Sequence, residues 1–139
     1  MALITRYAMQ NELFRTYFGT PRFTMPPTNK NHQRPFTNYQ YQLVRETGYY
    51  DPSVLGGKVG YTKEAKHTMT TVAQRGDRTL VCTVMGSPKR GDKFDDTEKL
   101  LEFGFSEFIP YSIPRESLSG LQVPVMEGEL VVGSATFYA

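Results

Sequence analysis

The 139 residues contain no tryptophan, one cysteine and two histidines. A single thiol can neither close an internal disulfide nor build a zinc site, and His32 and His67 stand too far apart in sequence to suggest a metal centre or a histidine-based triad. No metal ligands and no cofactor are therefore expected. Cys82 lies in an apolar, strand-like run and reads as a small buried hydrophobe. No stretch reaches eighteen apolar residues, and the opening "MALITRYAMQ" carries Arg6 inside its apolar run with no basic leader or small-residue cleavage pattern. Neither a membrane span nor an export signal is expected in these residues. Sixteen Lys and Arg stand against fourteen Asp and Glu, a net charge of +2, and no block of five like charges occurs, so nucleic acid is not indicated as a partner. Internal repeats and low-complexity segments are also missing.

What is present suffices for one modest domain or part of a larger one: 39% of residues are apolar and 13% aromatic. Leu3, Ile4, Tyr7 and Ala8 recur at helical spacing, and Asn11 can cap a second short helix carrying Leu13, Phe14, Tyr17 and Phe18. From Gly19 to Asp51 the chain is rich in Pro and Asn, with short strands expected only around Phe23 and from Tyr41 to Val44. The β-branched runs "HTMTTVAQ" and "RTLVCTVM" flank Gly76-Asp77 and predict an antiparallel hairpin over Lys66 to Gln74 and Arg78 to Met85. An amphipathic helix with Phe94, Leu100, Leu101 and Phe105, capped by Asp92 and closing near Gly104, follows. The tail from Ile109 reads as short strands and turns, with "ELVVGSATFYA" the best strand pair. The fold class expected is α+β, an antiparallel sheet with flanking helices.

Several residues invite a chemical reading. "RGD" at Arg75 to Asp77 is what a hairpin tip needs, and a turn accounts for it better than adhesion does. Asp95, Asp96 and Glu98 sit where acidic residues favour a helix dipole. Tyr39, Tyr41, Tyr49 and Tyr50 can line a sugar- or peptide-contacting rim or pack under the long loop. In "GGKVGYTKEA" a lone lysine, Lys58, stands on a strand with Gly60 two places on. Such a lysine either offers its ammonium to a ligand carboxylate while glycine lets the ligand chain approach, or simply blunts a sheet edge.

The stretch from "GGKVGYTKEA" through the hairpin to "EKLLEFGF", preceded by "MALITRYAMQNELFRTYFGTPRFTMPPTNKN" and "FTNYQYQLV", resembles the serine D-alanyl-D-alanine carboxypeptidases, the low-molecular-mass penicillin-binding proteins. The resemblance runs over roughly residues 1 to 106, with the order of pieces preserved. It implies that residues 1–108 are the C-terminal portion of a β-lactamase/transpeptidase-like catalytic domain and that 109–139 are a β-rich tail beginning a following module. The family's reaction uses a Ser-x-x-Lys nucleophile motif, a Ser-x-Asn motif and a Lys-Thr-Gly strand lining one cleft. Only the last is represented. No serine here has lysine three places on or asparagine two places on, so no catalytic residue is assigned within the chain.

By the resemblance, Lys58, Val59, Gly60, Tyr61 and Thr62 are the substrate-binding strand. Lys58 would hold the terminal carboxylate of a peptidoglycan stem peptide ending in D-Ala-D-Ala, and a serine supplied elsewhere would attack the penultimate carbonyl. Two departures stand out. Val59 replaces the usual threonine and deletes a hydroxyl donor, and Lys66 takes a place where the family commonly has glycine. The cation at 66 either crowds the strand or points to solvent. Two functions remain open: a component of a serine carboxypeptidase, or a non-catalytic remnant serving as a peptidoglycan-peptide-binding or interaction module. The resemblance further implies an extracytoplasmic location at the cell envelope, and exposed edges implying homo-oligomerisation or association with an N-terminal segment that carries the serine.

Overall fold

The computed structural model describes residues 1–112, 114, 117, 120–127 and 130–136, with side chains described as far as Gln122. The chain divides into two compact units, Met1–Phe108 and Ile109–Ala139.

The first unit opens with two short helices, α1 (Ala2–Ala8) and α2 (Glu12–Phe18). Asn11 has an extended backbone, and its side-chain oxygen accepts from the Phe14 amide at 3.0 Å, satisfying one of the donors a helix start leaves free. A two-stranded antiparallel ribbon follows, β1 (Arg22–Met25) with β2 (Arg34–Thr37). Strand β2 was not expected from the sequence, because Pro35 lies within it. In a two-strand ribbon its missing amide can face outward at no cost to the ladder.

Where a strand is expected at Tyr41 to Val44, the structure has a 3₁₀ turn, Tyr41–Leu43. The Leu43 amide donates to Gln40 O and the Val44 amide to Tyr41 O, while the Thr47 hydroxyl bonds both Tyr41 O and Val44 O. With its carbonyls occupied locally, the segment has little left to offer a sheet.

The centre of the unit is a three-stranded antiparallel sheet in the order β3 (Val54–Thr62), β4 (Lys66–Arg75), β5 (Arg78–Ser87). Gly76 and Asp77 join β4 to β5 in a two-residue turn, with Arg75 opposite Arg78. Only Gly76 of that pair has positive φ, at 56°, as a type II′ turn requires at its first position. The "RGD" tripeptide is thus a hairpin tip. Its arginine is tied down: Arg75 is bonded to Glu102 and lies over the Phe105 ring.

Helix α3 (Asp92–Glu107) packs against β5 and β4. Phe94, Thr97, Leu101 and Phe105 form its buried stripe, and Leu101 and Phe105 meet Val54, Ala73, Cys82 and Val84 in the core. Leu100, expected on that face, is half exposed because it falls outside the stripe's three- and four-residue steps. The helix runs past Gly104, since that glycine makes room for Leu80 rather than ending the helix: a Cβ there would lie 2.7 Å from Leu80 Cδ1. Gly91, not Asp92, is the N-cap, and the Asp92 carboxylate instead accepts from the Lys89 amide at 3.1 Å. Burial pushes the Cys82 thiol pKa up, as befits a packed, unreactive side chain.

The second unit contains the antiparallel ribbon β6 (Gln122–Glu127) and β7 (Leu130–Thr136), so of the pair expected within "ELVVGSATFYA" that stretch supplies one strand, β7, and its partner β6 lies upstream of it. The last residues of "ELVVGSATFYA", 137–139, lie outside the described residues. Helices with antiparallel sheets make the α+β class expected.

Candidate functional site

Alternation along β3 decides which way each candidate residue faces. Val59 pairs with Met69, which pairs with Val84, and Val84 belongs to the core under α3. The neighbouring row, Lys58, Thr70 and Thr83, therefore turns to the opposite face of the sheet. Across that face lie α1 and α2, and between helices and sheet runs a groove of about 440 Å³. Its helical wall is Ile4, Thr5, Ala8, Phe14 and Phe18, and its sheet wall includes Lys58, Gly60, Thr70 and Thr83.

Lys58 is exposed, and its ammonium turns back to donate to Val59 O. Beside it the Thr70 and Thr83 hydroxyls lie 3.2 Å apart. The groove thus sets one cation and a row of hydroxyls against an apolar wall, an arrangement suited to an amphipathic ligand with an anionic end.

The five residues expected to bind substrate are split. Lys58, Val59 and Gly60 line the groove. Tyr61 and Thr62 do not: the Tyr61 ring packs at 4.6 Å on His67, and the Thr62 hydroxyl accepts from the Ala65 amide at 2.9 Å, closing the β3–β4 turn. Lys66, just beyond that turn, is exposed and has φ of 55°, in the left-handed region that glycine tolerates best. The solvent-pointing alternative for its side chain is the one observed.

Tyr41 and Tyr49 stack on Phe94 with centroids 5.6 and 4.5 Å apart, and Arg90 lies over the rings of Tyr39 and Tyr41. Of the tyrosine set, two are therefore packing residues. A polar cavity of about 240 Å³ beneath them is lined by Tyr49, Asp51, Arg75, Glu98 and Glu102, where the Arg75 guanidinium holds the Glu102 carboxyl below the usual carboxylate range. Among the described residues no cluster of three His, Cys, Asp or Glu is placed to hold a metal ion.

Sequence reasoning missed two features of the site. The Thr70 and Thr83 pair reaches the groove through strand register, and Gln40 reaches the back of β3 from a loop. Neither carries a local signal.

No protein-family model matches the sequence. D-alanyl-D-alanine carboxypeptidase DacF of Bacillus subtilis is 29% identical over 124 residues, 87% of this chain and 31% of its own length. D-alanyl-D-alanine carboxypeptidase DacB2 of Mycobacterium tuberculosis is 32% identical over 109 residues, 76% of this chain and 35% of its own length. Its homologues are D-alanyl-D-alanine carboxypeptidases. The crystal structure of a penicillin-binding protein homologue from Mycobacterium tuberculosis superposes with a TM-score of 0.65 at 30% identity, covering 79% of this chain and 40% of that one. The fold is thus that of part of a penicillin-binding protein. The chain spans about a third of the length of the curated relatives it matches.

Proposed function

We propose that this chain carries the carboxylate-binding strand of a serine D-alanyl-D-alanine carboxypeptidase acting on peptidoglycan stem peptides at the cell envelope. Residues 1–108 act as the C-terminal portion of its catalytic domain, and 109–139 as the start of a following module. One observation carries the reading: Lys58 stands on an antiparallel strand paired with the 66–87 hairpin and lines a groove. Lys58 takes the terminal carboxylate of a peptide ending in D-Ala-D-Ala, and Gly60 leaves room for the peptide backbone. The attacking serine comes from outside these 139 residues, adds to the penultimate carbonyl, and releases the last D-alanine as the acyl-enzyme forms.

The test is an NMR titration of the chain with acetyl-lysyl-D-alanyl-D-alanine and with the same peptide amidated at its C-terminus. The acid is expected to shift the amide resonances of Lys58 to Gly60 and the amide form to do so far less. Lys58→Ala is expected to weaken the acid on the order of tenfold or more, the worth of a charge-assisted hydrogen bond. Equal binding of acid and amide forms sinks the proposal.

Val59 also favours a second reading, a peptide-binding module without catalysis, because the family's hydroxyl is missing at that position. Fluorescent penicillin separates the two when the chain is combined with a homologous N-terminal segment bearing Ser-x-x-Lys. A covalent adduct supports the catalytic reading; peptide binding with no adduct supports the module.

A further inference from the structure

We infer that Gln40 is a positioning residue for the Lys58 strand, an inference that rests on the role proposed for Lys58. The side chain is wholly buried. Its Nε2 donates to Thr71 Oγ1 at 2.7 Å and to Gln42 Oε1 at 3.3 Å. Its backbone amide donates to Asn38 Oδ1 at 2.9 Å, and Asn38 Nδ2 in turn donates to Thr20 O at 3.1 Å, so a polar chain runs from the end of α2 to the middle of β4.

Thr71 stands directly opposite Gly57 in the ladder, and Gly57 immediately precedes Lys58. A Cβ on Gly57 would lie 2.3 Å from Gln40 Nε2 and 2.8 Å from its Cδ. A buried carboxamide held by a bond to Thr71 cannot swing aside as an exposed one would. The preceding residue is held from α2 in the same way: a Cβ on Gly56 would lie 2.3 Å from Phe18 Cδ1. Successive residues of a strand present opposite faces, so Phe18 and Gln40 grip β3 from both sides at the two positions before Lys58. The double glycine is the imprint of that grip.

A buried glutamine in this place carries a cost as well as its bonds. Among the described residues its Oε1 is buried with no hydrogen-bond partner, a cost that partly offsets the two bonds its Nε2 makes. A residue kept against that cost is accounted for by what it aligns. Gln40 acts on the ligand only through Gly57 and the backbone of Lys58.

Gln40→Leu keeps most of the volume and removes both the bond to Thr71 and the orphaned oxygen. It is expected to stay folded at room temperature, with a melting temperature lowered by the partners that Thr71 Oγ1 and Gln42 Oε1 lose, and to bind acetyl-lysyl-D-alanyl-D-alanine on the order of tenfold more weakly, because β3 is no longer held in register with its ligand. Unchanged affinity in that folded variant overturns the inference. Gly57→Ala should lose binding through the clash, and Gln40→Ala combined with Gly57→Ala, which clears space for the new methyl group but leaves β3 without its grip, should fold and still bind on the order of tenfold more weakly than wild type. A double variant that folds and binds within about threefold of wild type also overturns it, and this pair serves if Gln40→Leu does not fold. Wild type against Lys58→Ala reports separately on the proposed function. Should wild type not bind the peptide, hydrogen exchange decides for Gln40: Gln40→Leu is to speed exchange at Lys58 to Gly60 more than in β5, and equal or unchanged rates there count against positioning.

Discussion

A lysine in left-handed backbone sits just past the β3–β4 turn, where relatives of the family commonly have glycine. The conformation costs a side-chain-bearing residue about 1–2 kcal/mol, while glycine gives back about 0.5–1 kcal/mol through the greater freedom of its unfolded chain. Lys66→Gly is accordingly expected to leave stability between unchanged and about 1 kcal/mol higher, read from the urea midpoint. A clear loss would mean that the Lys66 side chain makes a contact worth more than the strain. The same scale shows what a sequence can reveal about a site. Lys58 is legible because its strand resembles a known motif, but the hydroxyl row of Thr70 and Thr83 exists only once β4 and β5 are in register. Gln40 is less legible still, since a glutamine in a loop ordinarily faces water.

Among the elements, α3 carries the one lysine that is nearly fully buried. Lys93 Nζ donates to Arg90 O at 2.6 Å and lies 4.3 Å from the Phe94 ring centroid. Burial, with the nearby Arg90 charge adding to it, pulls its pKa below the usual lysine value. The unfolded chain therefore binds more protons than the folded one between the lowered pKa and about 10.5, and this group's contribution to stability rises with pH across that window. Lys93→Met removes the charge and keeps the length. It is expected to be neutral to about 1 kcal/mol stabilising at pH 7 and to flatten the alkaline rise, measured as denaturant midpoints at pH 7 and pH 10. An equal rise in the variant would assign it to another group. The hairpin and α3 were readable because their periodicity and turn chemistry are local. The 38–47 segment was not, because its shape depends on burying Gln40, whose bond to Thr71 of β4 reaches 31 residues along the chain.

At the scale of the whole molecule, the first unit exposes much apolar surface. Leu3, Ile4 and Tyr7 of α1 and Leu13 and Tyr17 of α2 are all exposed, and β5 has no strand on its outer side among the described residues. In the homologues the matched segment is accompanied by roughly twice its length of further chain, since it makes up 31–35% of theirs. We expect the 139-residue chain to self-associate at micromolar concentration through these surfaces, at least as a dimer by sedimentation. A monomer would show that they are tolerated in water. Adding an N-terminal segment of a homologue should compete with self-association if both use the same surfaces.

The sheet order β3-β4-β5, followed by α3, is also the order of synthesis. Within Val54 to Ser87 each strand pairs with the next piece to leave the ribosome, while Phe18 and Gln40, which also hold β3, are already made, so closing the ladder costs little loop entropy and requires no long search. Lys58 is thereby set in a nucleus able to form early, and the remaining partners add to a template already in place.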